Sequence, residues 1–450
     1  MVVSARKLGS LIFLAVLLVV IGYVILHVKE HERYDVYIVF TFYLNIGIFL
    51  IHILKEVSKR SFSFCLFFDM FALFFFGFAA LLQFFTNQFI WRLQAESAEV
   101  LICNLIIFLW AVFFYSGRNV KIVLKGNDFN KKYTMRKNAR YILCFFSIFI
   151  MLYYIKTIGL SNLFLRSTNS YGETVDTTTA LLAVHGLRNI SLYSLAFNIV
   201  YCRKQGKVDA ICIIAAVCFL VSCFPTAVSR NVAAAYYMGL IILTFPKVRK
   251  TQWLPIILIV GLVVVFPLLG NMRNATSTTE GMEMVQGTSL GDTYLTGDYD
   301  AFSMIMIIRR YVLDNGATLG RQLLGVLLFF VPRKIWPTKP IGTGATVIGP
   351  VMSQSFANVS APLIGEAYVN GGMLGTIVMG FIVGIMTGSA DNKYWKTKDE
   401  FARVRMIYPF NLLQFFFMMR GDLLSSWAYF FATYFVGSVI WKLSVIEEKA

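Results

Sequence analysis

The sequence predicts an all-α polytopic membrane protein with about twelve transmembrane helices and one long extracytoplasmic loop. Hydrophobic residues make up 58% of the 450 residues and charged residues only 14%, a balance that excludes a soluble domain of this size. The mean hydropathy is +0.68. The apolar runs suit helical spans and lack the alternation of a transmembrane barrel.

The predicted spans follow the apolar runs in chain order. They lie near residues 8–28, 34–54, 61–86, 97–117, 140–158, 180–201, 209–225, 230–245, 253–270, 366–388, 405–419 and 422–441. The first run lacks a small-residue cleavage site, which favours a helix over a signal peptide. The chain thus divides into N-terminal spans in 1–270, a long polar loop in 271–361 and C-terminal spans in 362–450.

Basic residues predict the orientation. Short Lys and Arg clusters fall between alternate spans, which places both termini in the cytoplasm and residues 271–361 outside. This distribution accounts for the net charge of +17 without nucleic acid as a partner. The basic segment 118–139 is predicted to be a solvent-exposed loop that helps to set the topology. The alternative is a segment that binds anionic lipid or a partner. The seven cysteines lack metal-ligand spacing, and nucleotide-binding motifs are absent, so no metal or cofactor is predicted.

A proline-rich basic segment, LFFVPRKIWPTKP, lies in the loop at residues 328–340. Its prolines exclude a regular helix and predict a rigid, extended corner where an apolar run meets water. Arg333, Trp336 and Lys339 are its candidate ligand-binding side chains. Such a corner suits a phosphate or an anionic lipid headgroup, and Trp with Lys is equally typical of an interfacial anchor.

Further arginines lie on the outward side. Arg230 and Arg420 are at the ends of predicted spans, and Arg309 with Arg310 lies in a segment predicted as an amphipathic helix on the membrane surface. Together with Arg333 they form a candidate pyrophosphate site, because the planar guanidinium donates two parallel hydrogen bonds. The alternatives are a pair between Arg420 and the neighbouring Asp422, and snorkelling of Arg309.

Glu366 is the candidate general base, with Arg230 and Arg420 as its catalytic companions. It lies where the chain re-enters the membrane, at the lip of an outer cavity, and partial burial there makes a carboxylate a stronger proton acceptor. An acid that complements the helix dipole is the plain alternative. The nearby candidates for substrate binding are Tyr368, Asn370 and Asp422.

Other polar residues within the spans are weaker candidates for a functional role. They are Asp69, His185 and Arg188, for which polar packing between helices is about as good an explanation as a function. The glycines of the tenth predicted span, with three- and four-residue spacing, favour close helix packing. They are Gly371, Gly372, Gly375, Gly380, Gly384 and Gly388.

The segment FFVPRKIWPTKPIGTG, followed by SAPLIGEAYVNGGMLGTIVMGFIVG and RGDLLSS, resembles the bacterial oligosaccharide repeat-unit polymerases, the Wzy-type O-antigen and capsule polymerases. The resemblance covers roughly residues 220–440 and departs at Gly371, where the family usually has Phe. It implies a GT-C-like, metal-independent glycosyltransferase of the bacterial inner membrane.

The resemblance also implies the substrate and the partners. Growing glycan is transferred from undecaprenyl pyrophosphate onto an incoming lipid-linked repeat unit, in a membrane that also holds a flippase and a chain-length regulator. Two other functions remain open, a flippase for the lipid-linked sugar and a ligase that acts on it. A flippase needs polar residues on both halves of a central cavity, whereas here they are concentrated on the outer side.

Overall fold

The computed structural model describes Ala15 and residues 33–120, 129–158, 178–225, 228–261, 294–352 and 359–448; at 157–158 and 178–185 it describes the backbone alone. Six helices of this part of the chain are long and apolar enough to cross a membrane. They are Val36–Lys59, Phe64–Phe85, Ser97–Arg118, Lys137–Lys156, Leu363–Lys396 and Leu423–Ser444. A polytopic α-helical membrane protein is thereby confirmed, while twelve spans and a GT-C-like arrangement stay predictions. The span predicted at 8–28 lies outside the described residues, apart from Ala15.

The helices are numbered in chain order. They are α1 Val36–Lys59, α2 Phe64–Phe85, α3 Ser97–Arg118, α4 Lys137–Ile158, α5 Thr178–Gln205, α6 Ala210–Ser222, α7 Arg230–Thr244, α8 Trp253–Val260, α9 Ala301–Asn315, α10 Arg321–Leu327, α11 Thr343–Met352, α12 Leu363–Lys396, α13 Arg403–Arg420 and α14 Leu423–Ser444. Two short strands, β1 Tyr133–Met135 and β2 Val445–Glu447, pair antiparallel and join the segment before α4 to the end of α14. Short 3₁₀ turns occupy Ile90–Arg92, Pro246–Lys250 and Gly297–Tyr299.

Helix α2 is the centre of the core. It is hydrophobic on every side and almost wholly buried, as expected of a helix without a polar face. The hydroxyl of Ser63 caps its first turn by accepting from the N–H of Leu66 at 3.0 Å. Its middle section, Ala72–Ala79, is wound as a π-helix.

Helix α12 positions the candidate base and is broken near its start. Gly372 has φ 59° and ψ −144°, a backbone conformation that residues with a side chain rarely adopt. The break separates a short first segment, which contains Glu366, from a long second segment. Along the second segment, a Cβ at Gly384 would overlap the carbonyl of Phe114 in α3. The prediction that the glycines allow close helix packing is confirmed at Gly380, Gly384 and Gly388, which lie against α3, but not at Gly371 and Gly372, where a Cβ would meet open space.

The long polar region is not organised as the sequence predicts. Residues 301–308, the first half of α9, are all buried, so this helix packs inside the bundle and does not lie on the membrane surface. The surface-helix prediction is wrong because the apolar residues here cover the whole circumference of the first two turns.

The proline-rich segment 328–340 contains no regular helix, as its prolines predict. It is folded in successive turns instead of the extended corner that the sequence predicts. The N–H of Val331 donates to the carbonyl of Leu328, and that of Lys339 to the carbonyl of Trp336. Backbone hydrogen bonds of this kind make the segment more compact than an extended chain.

Charged side chains collect at the two ends of the bundle. At the end opposite Glu366, Arg118 pairs with Asp391 at 2.5 Å and with Glu56 at 2.8 Å. Asp391 also accepts hydrogen bonds from the hydroxyl of Tyr408 and from the N–H of Phe64. This network ties α1, α2, α3, α12 and α13 together.

Candidate functional site

Two carboxylates meet where α11, α12 and α14 begin. Glu366 is only 1% exposed. Its Oε2 accepts from the hydroxyl of Thr343 at 2.7 Å, and its Oε1 accepts from the N–H of Leu423 at 3.0 Å. The predicted partial burial at a cavity lip is wrong, because the first turns of α11 and α14 close over this side chain.

Asp422 is the second carboxylate and is only partly buried. Its Oδ1 caps α14 by accepting from the N–H of Leu424 at 3.0 Å, and its Oδ2 accepts from the N–H of Gly344 at 3.2 Å. Burial raises the pKa of Asp422, against the lowering effect of these backbone donors. Space around it is tight, since a Cβ at Gly342 would overlap the carboxylate.

Asn370 holds the broken end of α12 in place. Its Oδ1 accepts from the hydroxyl of Thr318 at 3.1 Å, and its Nδ2 donates to the carbonyl of Glu366 at 2.8 Å. Tyr368 lies in the same segment and is buried. Asn370 therefore fixes the backbone of the segment that carries Glu366.

Arg230 and Arg420 converge on one turn, the 3₁₀ turn Gly297–Tyr299. Their Nη2 atoms lie 3.5 and 3.9 Å from Oδ1 of Asp298. Arg420 also donates to the carbonyl of Gly297 at 2.7 Å and lies 3.3 Å from Asp300. Burial raises the pKa of Asp300, although the charge of Arg420 opposes the rise. Arg420 thus pairs with these aspartates, and the alternative pair with Asp422 is not formed.

Arg309 and Arg310 form a separate group on Glu99 of α3. Arg310 donates from Nε and Nη2 to the two carboxylate oxygens of Glu99 at 2.8 and 2.7 Å, the bidentate geometry that suits an arginine. Arg309 lies 3.9 Å from the same carboxylate, so it does not simply snorkel.

Arg333 and Lys339 fasten the proline-rich segment to itself. Arg333 donates to the carbonyl of Lys339 at 2.7 Å, and Lys339 donates to the carbonyl of Val331 at 3.0 Å. Burial lowers the pKa of Lys339, and the charge of Arg333 adds to this. Trp336 is half-buried in the same segment. The five candidate arginines therefore lie in three groups. Two groups contact carboxylates, and the third, Arg333, contacts backbone carbonyls.

The weaker candidates are held by helix packing. Asp69 is fully buried and accepts from the hydroxyl of Tyr115 at 2.5 Å. Arg188 donates to the carbonyl of Ser222 at 3.2 Å and lies over the ring of Tyr154. The side chain of His185 lies outside the described residues.

Sequence reasoning missed several residues of the site. Asp298 and Asp300 lie in the motif GDYD just before α9, and a pair of acids before a helix is a detectable, if common, signal. Thr343, the first residue of α11, follows the proline-rich segment, where Thr is a typical helix-start residue. Their proximity to Arg420 and Glu366 depends on contacts between distant segments and has no local signature.

The hairpin between α13 and α14 connects the arginine pair with the carboxylate pair. Arg420, the last residue of α13, contacts Asp298 and Asp300. Asp422, two residues later, lies beside Glu366. The fold and this site define a polytopic helical membrane protein with a concentrated acid–base and arginine site at one end of its bundle.

Residues 359–447 match the family of O-antigen polysaccharide polymerase Wzy, which confirms the resemblance noted in the sequence. The matched segment is shorter than the predicted stretch 220–440. It contains α12 to α14 and with them Glu366, Tyr368, Asn370, Arg420 and Asp422. The match supports a membrane-embedded, glycosyltransferase-like polymerase of the O-antigen type. No curated protein and no solved structure matches the chain.

Proposed function

We propose that the protein polymerises undecaprenyl-pyrophosphate-linked oligosaccharide repeat units into O-antigen or capsular polysaccharide on the outer face of the bacterial cytoplasmic membrane. The observation that carries this proposal is the hairpin between α13 and α14, where Arg420 of the arginine pair lies two residues from Asp422 of the carboxylate pair, within the segment that matches the polymerase family. In each cycle one glycosidic bond forms, one sugar–pyrophosphate bond breaks, and the acceptor hydroxyl loses a proton.

Arg230 and Arg420 are the proposed ligands of the leaving pyrophosphate. Both already lie against a carboxylate oxygen of Asp298, so a phosphate oxygen can replace that acceptor without a large movement. Guanidinium groups in a water-poor site stabilise the negative charge that develops as the sugar–phosphate bond breaks. Arg309 and Arg310, held on Glu99, and the segment with Arg333, Trp336 and Lys339 are proposed to contact the rest of the lipid-linked substrate.

The proton of the acceptor hydroxyl is proposed to pass to the carboxylate pair. Glu366 remains the predicted base, but it is closed off, whereas the partly buried Asp422 can reach a hydroxyl. Glu366 accepts from the N–H of Leu423, the residue that follows Asp422, and two neighbouring carboxylates tend to share a single proton. Asp422 is therefore proposed as the contact with the hydroxyl and Glu366 as the buried member that holds the shared proton.

The donor is already activated by its pyrophosphate, so the reaction needs neither a nucleotide nor, in this proposal, a metal. Arginines supply the charge that a divalent cation supplies in many other glycosyltransferases. Polymerisation that is unchanged by a chelator supports this part of the proposal, whereas a requirement for magnesium contradicts it.

Transport of the same lipid-linked sugar is the second candidate function. The break in α12 at Gly371 and Gly372 favours it, because discontinuous helices are typical of transporter binding sites. The two functions differ in their products. A polymerase releases isoprenoid pyrophosphate, whereas a flippase only moves its substrate between leaflets.

The test uses purified protein in nanodiscs with defined lipid-linked repeat units. Polymerisation predicts a ladder of products that differ by one repeat unit, with one isoprenoid pyrophosphate released for each bond. Unchanged substrate contradicts the proposal. Transfer of glycan onto a different acceptor, with none between repeat units, identifies a ligase instead.

A further inference from the structure

A long apolar cleft runs through the C-terminal part of the bundle. Helices α12 and α14 both pack on α13, and a space of about 850 Å³ lies between them. Leu323 and Leu327 of α10 line it near the carboxylate site, and Phe415 of α13 lines it deeper in the bundle. The volume is within the range of sites that hold small molecules.

One stripe of α12 faces this cleft without cover from the described residues. Val378, Ile382 and Met386 line the cleft and are 48%, 49% and 56% exposed. Their four-residue spacing places them on one face of the helix. Phe431 and Tyr434 of α14 line the opposite wall. A concave surface of this kind fits a hydrocarbon chain better than water.

The charges of the cleft lie at one end. Among the residues that line it, the charged ones are Lys393 and Arg403, and neither has an ion-pair partner among the described residues. At the other end the lining is neutral, with Asn370, Gly371 and Leu423 next to the carboxylate site. An anionic headgroup therefore has attraction only at the Lys393 end.

We propose that the cleft binds an anionic glycerophospholipid, with its phosphate on Lys393 and Arg403 and an acyl chain along α12 and α14. From Gly371 to Lys393 the helix rises about 33 Å, close to the hydrocarbon thickness of a bilayer. The headgroup thus lies at the membrane face opposite the carboxylate site. The proposal does not depend on the polymerase function.

The isoprenoid substrate is a poorer fit than a phospholipid. With its pyrophosphate at the Asn370 end, the headgroup meets a neutral lining, because Arg230 and Arg420 lie at this end of the bundle but do not line the cleft. With its pyrophosphate at the Lys393 end, the sugars lie a bilayer away from those carboxylates.

The experiment uses the full chain in nanodiscs of phosphatidylcholine with a small fraction of phosphatidylglycerol that carries a diazirine in its acyl chain. After illumination, peptide mass spectrometry locates the adducts. We expect them on the exposed stripe of α12 and on the wall of α14, at Val378, Ile382, Met386, Phe431 and Tyr434. A phosphatidylcholine probe with the same chain is expected to label these residues far less.

The matched variants separate headgroup binding from general surface charge. Lys393→Gln with Arg403→Gln is expected to weaken labelling about 25-fold, at roughly fivefold for each cation. The control, Lys398→Gln with Lys442→Gln, removes two exposed charges at the same end but outside the cleft lining and is expected to label normally. Arg403→Lys alone keeps the charge and is expected to retain most of the labelling, which guards against a folding defect in the double variant.

Three outcomes overturn the proposal. The first is equal labelling of the wild type and of the Lys393/Arg403 double variant, or equal labelling of the wild type by the phosphatidylglycerol and phosphatidylcholine probes. The second is displacement of the label by undecaprenyl phosphate but not by unlabelled phosphatidylglycerol, which assigns the cleft to an isoprenoid. The third is the absence of adducts together with crosslinking of Met386→Cys to residues 1–32, which shows that the chain fills its own cleft. Polymerase assays on the same samples measure the proposed function separately, so a failure of the lipid proposal is distinguishable from a failure of the polymerase proposal.

Discussion

Arg230 and Arg420, which begin α7 and end α13, point their Nη2 atoms at a single acceptor, Oδ1 of Asp298, at 3.5 and 3.9 Å. Two like charges that share one acceptor need a negative partner, and the carboxylate of Asp298 is that partner. A doubly charged pyrophosphate meets the same need. The pair is therefore the arginine group that we propose binds the leaving group.

The first prediction concerns the guanidinium groups of this pair. Arg230→Lys and Arg420→Lys are each expected to lower polymerisation about 10- to 100-fold, because lysine keeps the charge but loses the planar fork. Initial rates at equal protein level provide the measurement. Arg92→Lys, an exposed arginine in a nearby turn, is the matched control and is expected to be neutral. Normal rates in both test variants reduce Arg230 and Arg420 to a structural role.

The second prediction concerns Glu366. Glu366→Gln is expected to preserve folding, because the amide can still accept from the N–H of Leu423 and contact Thr343. Turnover is expected to fall about 10²- to 10⁴-fold, the usual contribution of a general base, because the pair acts as one base and Gln cannot share a proton with Asp422. Single-turnover polymerisation and affinity for the lipid-linked repeat unit are measured together. Near-normal turnover removes Glu366 from the mechanism.

The carboxylate pair also predicts a non-additive double variant. If Glu366 and Asp422 share one proton, Glu366→Gln combined with Asp422→Asn costs about as much as the worse single variant. Thr343→Val removes only a hydroxyl donor to Glu366 and serves as the control, with an expected loss of under about tenfold. Fully multiplied losses in the double variant contradict a shared proton.

The third prediction concerns pH. Burial raises the pKa of Asp422, and the proposed base is active only when ionised. Polymerisation is therefore expected to be lost on acidification at a pH above the ordinary value for Asp of about 3.9. Rates measured from pH 4 to 8 give the midpoint. A profile that is flat throughout this range places the essential base elsewhere.

The fourth prediction concerns orientation. Asp314→Cys, exposed near Arg310, is expected to react with an impermeant thiol reagent in intact spheroplasts, whereas Lys398→Cys reacts only after lysis. The seven native cysteines are buried, so the background is low. The reverse pattern inverts the predicted topology and places the carboxylate site on the cytoplasmic face.

The fifth prediction concerns stability. Asp391→Asn leaves Arg118 with Glu56 alone and weakens the acceptor of Tyr408, so it is expected to cost about 3–5 kcal/mol, the usual loss when a buried pair is broken. Thermal unfolding in detergent measures the change. Asp314→Asn, an exposed acid, is the control. An unchanged midpoint in the Asp391 variant means that the network contributes little to the fold.

Hydropathy alone located most of the helices, α9 to α11 excepted, because a chain in a bilayer must satisfy its backbone hydrogen bonds within each segment. From 34 onward, each predicted span coincides at least in part with a helix wherever the structure describes it. The same local reasoning predicted the helix-free proline segment and the close packing at Gly384. These features depend on the residues of one segment and on the solvent around it.

The sequence by itself determined the helical membrane class, the glycine-lined helix and the residue types available for acid–base and anion chemistry. Only the tertiary structure decided that Arg230 meets Arg420 and not Arg310, and that Thr343 and Leu423 enclose Glu366. It also decided that the first half of α9 is buried inside the bundle. The physical reason is the range of the interactions: helix formation is governed by neighbours along the chain, whereas these contacts join segments far apart in sequence and form only when the helices pack.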